Sequence, residues 1–400
     1  MKRSKCRACS SSDMKLFLDL GNMPLAGGFL NDLDISVKDE NTYPLQIYVC
    51  SECSLVQILE VIDPETLFQN YSFSSSTVKP LINHFEDYAI WLKTKYNPNF
   101  VVEFGCNDGI LLKEFNKIGV KNCGIDVSKN ITQIARKEGL DVITGYFDES
   151  TSGDIKKRLG MADIVTGSNA FAHNDNPEKL IKAARNILNY EGHLCLEIMY
   201  AGDLLEMLQW DTLYHEHLTF YSLTTIAVLL KRYGFHVVFA ERIPMHGGSL
   251  RICATMNEKE EEHSSVSELL NYESENLLTN PETWGNFGKN IGRKIGIVSK
   301  TLSELSKNSS IWGYGAAGKS TLWVNSCKMD YLEAMVDASP LRAGKFMPGT
   351  HTPIVFPEKL KDNPPDYIFV TAWNYVDAIK ENEKWFSGVW ITPLPDLRFF

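Results

Sequence analysis

The densest group of ionisable and aromatic side chains lies at residues 210–222, where Tyr214, His215, Glu216 and His217 are consecutive. Imidazole titrates near neutral pH, and a neighbouring carboxyl or phenol group can orient it or bind an oxyanion. The two histidines are two positions apart, so they cannot share one helix face as the H-E-x-x-H zinc motif requires. The segment therefore predicts proton abstraction from a carbon beside a carbonyl, not a zincin site.

Four of the nine cysteines form two C-x-x-C pairs, Cys6/Cys9 and Cys50/Cys53. Four thiolates suit a tetrahedral Zn²⁺, whose binding contributes folding free energy on the order of 10 kcal/mol. We expect a structural zinc site with no open position for catalysis; a redox C-x-x-C pair or unrelated cysteines are the alternatives. The remaining cysteines stand alone in apolar or strand-like surroundings and are expected to be packing residues: Cys106, Cys123, Cys195, Cys253 and Cys327.

A first glycine-rich turn carries Glu103 at a predicted strand end, then Gly105, Asn107 and Gly109. Glycine allows a ligand to approach the backbone closely, and the N–H groups of the following helix can meet a polar group. No third glycine completes the G-x-G-x-x-G dinucleotide fingerprint, so a nicotinamide cofactor is the second choice. About twenty residues later Asp126 ends the next strand, where a carboxylate can accept hydrogen bonds from both ribose hydroxyls of a nucleoside.

A further polar group follows the fourth predicted strand, with Ser168, Asn169 and His173 in succession. Ligands of open α/β sheets collect at the carboxyl ends of the strands. We therefore expect Ser168 to contact the cofactor, and Asn169 and His173 to belong to the active site.

A second glycine-rich turn, residues 313–320, satisfies both the G-x-G-x-x-G and the Walker G-x-x-x-x-G-K-S patterns. Too little chain follows for an ATPase with an acidic Mg²⁺ strand. Either pattern predicts that backbone N–H groups at a helix start, with Lys319 nearby, face an anion. Arg251, close after His246, adds a positive charge there or is a surface strand residue.

These groups must be positioned by several folding units, because 400 residues exceed the size of a single core. Up to residue 61, turn signals at residues 20–24 and 27–28 predict short segments with little room for a core of their own. These segments need a further link, such as the predicted zinc site, to hold them together. Alternating strand and helix patterns then predict a doubly wound sheet of seven strands that ends in an antiparallel pair. Its predicted strands are 100–104, 122–125, 142–144, 164–166, 193–198, 237–241 and 249–255.

The last third of the chain divides into a helical connector and a smaller sheet. Apolar residues at steps of three and four predict a helix that packs between domains: Trp284, Phe287, Ile291, Ile295, Val298, Leu302 and Leu305. A second, smaller parallel sheet is predicted from strands at 311–312, 331–336, 353–356, 367–370 and 389–391.

Charge and composition exclude several classes of protein. Lys and Arg number 40 against 50 Asp and Glu, which gives a net charge of −10. This field repels nucleic acids and anionic membranes, so an anionic ligand needs a local pocket. Without an apolar N-terminal run or membrane span, we expect a cytoplasmic protein and, as the simplest state, a monomer.

Taken together, the motifs resemble the three-domain sugar C-methyltransferases that build branched deoxysugars. The resemblance spans nearly the whole chain and rests, beyond the C-x-x-C pairs, on residues 103–109, 169–173, 214–217, 246–251, 313–317, 336–337, 348–350 and 371–375. It implies an α/β chain with a zinc-binding module at 1–70, a class I S-adenosylmethionine-dependent methyltransferase domain at 71–256, a helical connector at 257–309 and a smaller Rossmann-like domain at 310–400.

The resemblance also implies a substrate and site residues. The substrate is a nucleotide-diphosphate-linked 4-keto-6-deoxyhexose, methylated at the carbon next to the ketone. The implied catalytic residues are Asn169, His173, Tyr214, Glu216 and His217, with His217 the base. His246, Arg251, Tyr314, Gly315 and Lys319 are implied to bind the sugar nucleotide. An upstream family motif with two tyrosines corresponds to Tyr71 and Phe73 here, so Tyr71 supplies the hydroxyl group only if the family uses the first.

Three alternatives remain open at this stage. An O- or N-methyltransferase would act on a similar nucleotide sugar. A nicotinamide-dependent oxidoreductase would use the second glycine-rich turn, although no acidic residue ends a following strand before Asp337. The third alternative is a non-enzymatic protein, a zinc-dependent scaffold with a degenerate methyltransferase core. The presence of both Asp126 and His217 argues against this alternative.

Overall fold

A computed structural model describes residues 2–31, 40–68, 71 and 73–400. The N-terminal part forms three antiparallel strands, β1 (Met14–Pro24), β2 (Thr42–Cys50) and β3 (Val56–Ile58). The prediction of a turn at residues 20–24 is wrong, because β1 continues through these residues. The pairing with β2 shifts between Asp19 and Asn22, and Gly21 takes the left-handed backbone (φ +73°) that this bulge requires.

The central part confirms the predicted seven-stranded sheet. Its strands are β4 (Phe100–Phe104), β5 (Lys121–Asp126), β6 (Val142–Thr144), β7 (Ala162–Ser168), β8 (Leu188–Met199), β10 (His236–Ile243) and β11 (Ser249–Thr255). Among the described strands the order is β10-β11-β8-β7-β4-β5-β6, with β11 antiparallel to both neighbours. The parallel strands β4, β5 and β7 end at one edge, which brings Gly105, Asp126 and Ser168 together.

The helices between residues 64 and 231 are α1 (Pro64–Phe68), α2 (Lys79–Tyr96), α3 (Ile110–Lys117), α4 (Lys129–Lys137), α5 (Glu149–Leu159), α6 (Pro177–Ile187), α7 (Ala201–Glu206) and α8 (Leu223–Lys231). Several of them pack on the sheet, whose parallel strands are mostly buried. Helix α2 has Pro80 in its first turn and ends at Tyr96. The next residue, Asn97, takes the left-handed backbone and precedes Pro98. The lone cysteines are all buried, as predicted.

The connector consists of α9 (Ser264–Glu275) and α10 (Pro281–Leu305). The predicted apolar face is confirmed, because Trp284, Phe287, Ile291, Val298 and Leu302 are buried. Helix α10 packs on β1, where the Phe17 ring contacts Trp284 and Phe287. The helix thus supplies a core that the N-terminal strands lack on their own.

The C-terminal part is the predicted smaller sheet. Its strands are β12 (Ile311–Tyr314), β13 (Met335–Val336), β14 (Ile354–Val355), β15 (Tyr367–Val370), β16 (Val389–Thr392) and β17 (Arg398–Phe399). The first five pair in parallel in the order β14-β13-β12-β15-β16, and β17, which the sequence did not predict, adds an antiparallel edge. Its helices are α11 (Gly318–Ser326), α12 (Lys359–Asp362) and α13 (Val376–Asn382).

A short strand joins the N-terminal and central parts. Strand β9 (Thr219–Phe220) directly follows the histidine-rich segment and pairs with β3, where Val56 is opposite Phe220 and Gln57 is opposite Thr219. The N-terminal sheet, which β9 extends, therefore positions the backbone that carries His217. Over the described residues, the helices are all too short or too polar to span a membrane.

Candidate active site

A cavity of about 380 Å³ opens at the carboxyl edge of the central sheet. All three parts of the chain line it, with Phe29 from the N-terminal part, Asp126 and His217 from the central part, and Lys319 and Asn374 from the C-terminal part. Its walls combine aromatic side chains with a few convergent polar groups, which is typical of a ligand site.

His217 lies in this cavity with a defined tautomer. Its Nδ1 is 2.7 Å from the carbonyl oxygen of Thr212, which only accepts hydrogen bonds, so Nδ1 carries the proton and Nε2 carries the lone pair. Burial, followed by the field of His173, lowers the pKa of His217 well below 6.5. The imidazole is therefore neutral at physiological pH and presents Nε2 as a base.

Two rings flank this imidazole. The Tyr214 ring lies 4.0 Å from the His217 ring, centroid to centroid, and the His173 ring lies 5.0 Å from it. Burial lowers the pKa of His173 to about 4 and raises the pKa of Tyr214 well above 10. Both groups stay uncharged and can donate a hydrogen bond to a ligand.

Glu216 adds a carboxyl group to the same wall. Burial raises its pKa to about 7, so much of it is protonated at neutral pH. It lines the cavity, and the described residues form no hydrogen bond with it. A protonated Glu216 can therefore donate to a ligand oxygen.

Asn169 and His246 both line the cavity with strained backbones, at φ +53° and +54°. The Asn169 amide donates to the Met245 sulfur at 3.2 Å, while its Oδ1 is buried without a partner among the described residues. Burial lowers the pKa of His246 to about 4.

Tyr71 and Phe73 both line the cavity, whereas Ser72 between them lies outside the described residues. Burial and the nearby Glu216 raise the pKa of the Tyr71 phenol well above 10. The first position of the two-tyrosine motif thus places a hydroxyl-bearing ring in the wall, and the second places a phenyl ring there.

The first glycine-rich turn is held by its own side chains. Asp126 accepts hydrogen bonds from the backbone N–H groups of Asn107 (3.0 Å) and Ser128 (2.8 Å). The Asn107 side chain bonds to backbone atoms of Phe73 and Ser75, which fastens the upstream segment to the turn.

Gly105, at φ +66°, lies so close to Ala170 that any side chain would overlap it. Gly105, Asn107 and Asp126 line the cavity, but Glu103 and Gly109 lie behind its wall. Gly109 packs on Leu140, and Glu103, whose pKa burial raises to about 8, has an oxygen with no partner among the described residues.

Arg251, expected to bind substrate, does not line the cavity. Its guanidinium group pairs with Glu197 at 2.7 Å and with Glu241 at 2.7 Å. Glu197 in turn accepts hydrogen bonds from Ser168 (2.8 Å) and His84 (3.0 Å). Because a buried carboxylate needs a countercharge, Arg251 supports the sheet edge, and of this group only Ser168 reaches the wall.

Tyr314 and Gly315, also expected to bind substrate, lie outside the wall. The Tyr314 hydroxyl donates to Glu383 at 3.1 Å, on the far side of the strand. The Ser320 hydroxyl, at the Walker serine position, is buried against Gly315 and Thr371. It therefore faces no metal ion or phosphate.

Comparisons with known proteins follow the same three parts. Family models match a zinc binding domain at residues 6–68, a methyltransferase domain at 84–239 and a C-methyltransferase C-terminal domain at 244–395. The C-methyltransferase NovU of Streptomyces niveus is 30% identical over 404 residues, which cover 98% of this chain and 96% of NovU. The chain belongs to the S-adenosylmethionine-dependent C-methyltransferase family.

Further relatives match shorter parts of this C-methyltransferase. A ubiquinone biosynthesis O-methyltransferase of Pectobacterium carotovorum is 26% identical over 96 residues, 24% of this chain and 40% of that enzyme. The magnesium protoporphyrin IX methyltransferase of Synechocystis PCC 6803 with bound SAH has 16% identity and a TM-score of 0.35, over 44% of this chain and 82% of that one. The functional inference rests on the full-length match.

The edge of the central sheet fits S-adenosylmethionine. Each Asp126 oxygen accepts one backbone N–H group and keeps a lone pair for a ribose hydroxyl. Glu103 lies behind the same turn, with one oxygen that has no partner among the described residues. Gly105 and Ala170, which pack on each other, both line the cavity at this edge.

The cysteine cluster fits a structural zinc ion. The Sγ atoms of Cys6, Cys9, Cys50 and Cys53 all lie within 4.8 Å of one another, and the closest pairs are 3.5 and 3.6 Å apart. Tetrahedral Zn–S bonds of about 2.3 Å require sulfur separations of roughly 3.8 Å. Four thiolates leave no open coordination position, so zinc holds the fold.

The structure also shows cavity residues that the sequence analysis missed. Arg342 lines the wall, and its Nη2 pairs with Asp337 at 3.0 Å while its Nε has no partner among the described residues. Asp211 is buried behind the wall and accepts hydrogen bonds from the indoles of Trp323 and Trp373. Arg342 stands alone in the sequence, six residues after a predicted strand, so no local pattern marks it as a binding residue. Only the folded sheets bring it to the cavity.

Proposed function

We propose that this enzyme methylates C-3, the carbon beside the ketone, of a nucleotide-diphosphate-linked 4-keto-6-deoxyhexose and yields a branched-chain deoxysugar. The observation that carries the proposal is the neutral His217 imidazole, whose Nδ1–H is bound to Thr212 and whose Nε2 remains unprotonated in a buried cavity. A base of this kind suits removal of a proton from carbon, the step that separates C-methylation from O- or N-methylation.

The surrounding groups suit the charge that develops. As Nε2 of His217 takes the proton, the C–H electron pair forms a C=C bond and the carbonyl π electrons move to oxygen. The uncharged side chains of Tyr214 and His173 lie beside the imidazole, and protonated Glu216 lines the same cavity. A hydrogen-bond donor to the developing oxyanion is typically worth about 3 kcal/mol. S-adenosylmethionine, when bound, supplies the electrophilic methyl group that the carbon then accepts.

A nucleotide diphosphate is favoured by charge inside an acidic protein. Among the described residues that line the cavity, Lys319 and Arg342 are the lysine and arginine side chains, although the net charge of the chain is −10. The unpartnered Nε of Arg342 makes this side chain our choice for the diphosphate. The charges of Arg342 and Glu216 both act on the Tyr71 phenol. All three side chains line the same cavity, so Arg342 lies in one cavity with the reacting groups.

The test is a panel of thymidine-, guanosine- and cytidine-linked 4-keto-6-deoxyhexoses, deuterated at C-3 and offered with methyl-labelled S-adenosylmethionine. Mass spectrometry should show one methyl group gained and one ring deuterium lost. A methylated product that keeps its deuterium would identify an O- or N-methyltransferase instead. No methylation of any member would refute the nucleotide-sugar assignment.

A further inference from the structure

The second glycine-rich turn, residues 313–320, lies against the Tyr214 side chain of the central domain. An added Cβ at Gly318 would lie 2.9 Å from Cζ and 3.1 Å from the hydroxyl oxygen of Tyr214. The same Tyr214 ring packs on His217. The turn therefore reaches the catalytic end of the cavity, and the next residue, Lys319, lies in its wall.

The Lys319 ammonium group has no oxygen partner in the described residues. Its nitrogen is closed to solvent and lies 4.8 Å from the centre of the Trp373 ring. Burial lowers the pKa of Lys319, and the negative field of Asp211 opposes that shift, although the two side chains do not meet in an ion pair. Asp211 instead accepts a hydrogen bond from the indole N–H of Trp373 at 2.8 Å. A buried cation without a hydrogen-bond acceptor is costly, so this position is suited to an oxygen supplied by a ligand.

The neighbours of Lys319 indicate which ligand oxygen this is. Burial is the main cause of the lowered pKa of both His217 and His246, and the charge of Lys319 lowers each pKa further. The same field that opposes a proton on His217 also favours negative charge on a nearby oxygen. A diphosphate has a separate candidate, Arg342, which is paired with Asp337 in the C-terminal sheet.

We propose that Lys319 binds the ketone oxygen of the substrate and stabilises the enolate that forms when His217 removes the adjacent proton. The C-terminal domain would then complete the catalytic group, and the phosphate-loop pattern around Lys319 would serve carbon acid chemistry. This proposal differs from our expectation from the sequence, in which Lys319 faces the diphosphate. The proposal rests on the proposed function for its substrate, and on the Gly318 and Trp373 contacts for its placement.

The first experiment needs no sugar substrate. In the full-length zinc-loaded protein, histidine side-chain NMR should show that Lys319→Met raises the pKa of His217, assigned by loss of its signal in His217→Asn. Lys361→Met, which removes an exposed lysine of the same domain, should leave that pKa unchanged. An unchanged pKa in Lys319→Met would overturn the placement of the ammonium group, whatever the substrate is.

The second experiment separates the two cations. Calorimetry with thymidine, guanosine and cytidine diphosphates should give similar dissociation constants for wild type and Lys319→Met, and at least a tenfold weaker constant for Arg342→Met. A tenfold loss of affinity in Lys319→Met would assign this lysine to the diphosphate and overturn the proposal. If no diphosphate binds the wild type, the proposed function fails, while the NMR result still tests the placement.

The third experiment measures the reaction. With the nucleotide sugar found active in the panel, Lys319→Met should lose about 10² to 10³-fold in C-3 deuterium exchange at saturating substrate, and Lys319→Arg should recover part of the rate. Thermal melting and binding of S-adenosylhomocysteine report folding. A lower melting temperature with normal exchange at saturation would show that Lys319 has only a structural role, and would overturn the proposal.

Discussion

The Nδ1–H of His217 donates to the carbonyl oxygen of Thr212 across 2.7 Å. The bond spans five residues of one segment, so local backbone geometry determines the tautomer before any ligand arrives. Strand β9 pairs the following residues with β3, which fixes this segment to the zinc-bearing sheet. The base is thereby held at the junction of the N-terminal and central parts.

The pH dependence of kcat/KM should show two limbs. The rate should fall in acid only well below pH 6.5, because burial lowers the pKa of the His217 base. It should fall again above about pH 7 as Glu216, whose pKa burial raises to about 7, loses its proton and no longer donates. Glu216→Gln keeps a neutral donor and should remove the alkaline limb. An alkaline limb that persists in this variant would contradict the role of protonated Glu216.

Gly318→Ala should disturb the catalytic end of the cavity. The new Cβ would press on the Tyr214 ring, and overpacking of this kind costs about 1 to 3 kcal/mol. We expect kcat/KM to fall by about tenfold or more, measured beside thermal melting. Gly296→Ala is the matched control, since a Cβ there, on helix α10, meets nothing within 4 Å. Equal activity in the two variants would refute the close contact.

Asp126→Asn should weaken binding of S-adenosylhomocysteine. Hydrogen bonds to a charged group are worth about 1.5 to 3 kcal/mol, so we expect a dissociation constant raised by roughly tenfold or more in calorimetry. Asp141→Asn, which alters a partly exposed carboxylate paired with Arg158, serves as the control. An affinity unchanged by the Asp126 substitution would remove this residue from the ribose site.

Zinc removal should destabilise the enzyme and abolish methylation together. The C-x-x-C segments contact the central domain, since the Arg7 side chain pairs with Asp175 at 3.0 Å and Thr225 donates to the Cys53 carbonyl at 2.9 Å. Elemental analysis should find one zinc per chain, and chelation or Cys50→Ser should lower the melting temperature. A metal-free enzyme that keeps both its melting temperature and its activity would contradict a structural zinc site.

The parallel sheet could be predicted because each of its strands is a short apolar run between helical stretches. The course of β1 through residues 20–24 could not, because a bulge and a turn use the same glycine-containing sequence. Arg251 was misplaced for a similar reason, since its partner Glu197 is 54 positions away and becomes visible only when β8 and β11 pair.

The candidate site was predicted best where its residues are close in sequence. Tyr214, Glu216 and His217 form one segment, and the structure brings His173 and Asn169 to them. Arg342 and the catalytic placement of Lys319 depend on how the C-terminal sheet docks, which no local pattern encodes.

The exchange of C-3 deuterium into water, followed with and without the methyl donor, tests the central claim most directly. Wild type should release the deuterium and methylate the sugar, whereas His217→Asn should bind S-adenosylhomocysteine normally and lose both reactions by about 10² to 10⁴-fold. His215→Asn, whose ring contacts the Pro44 carbonyl outside the cavity, should retain both. Normal exchange and methylation in a folded His217→Asn enzyme would contradict the account.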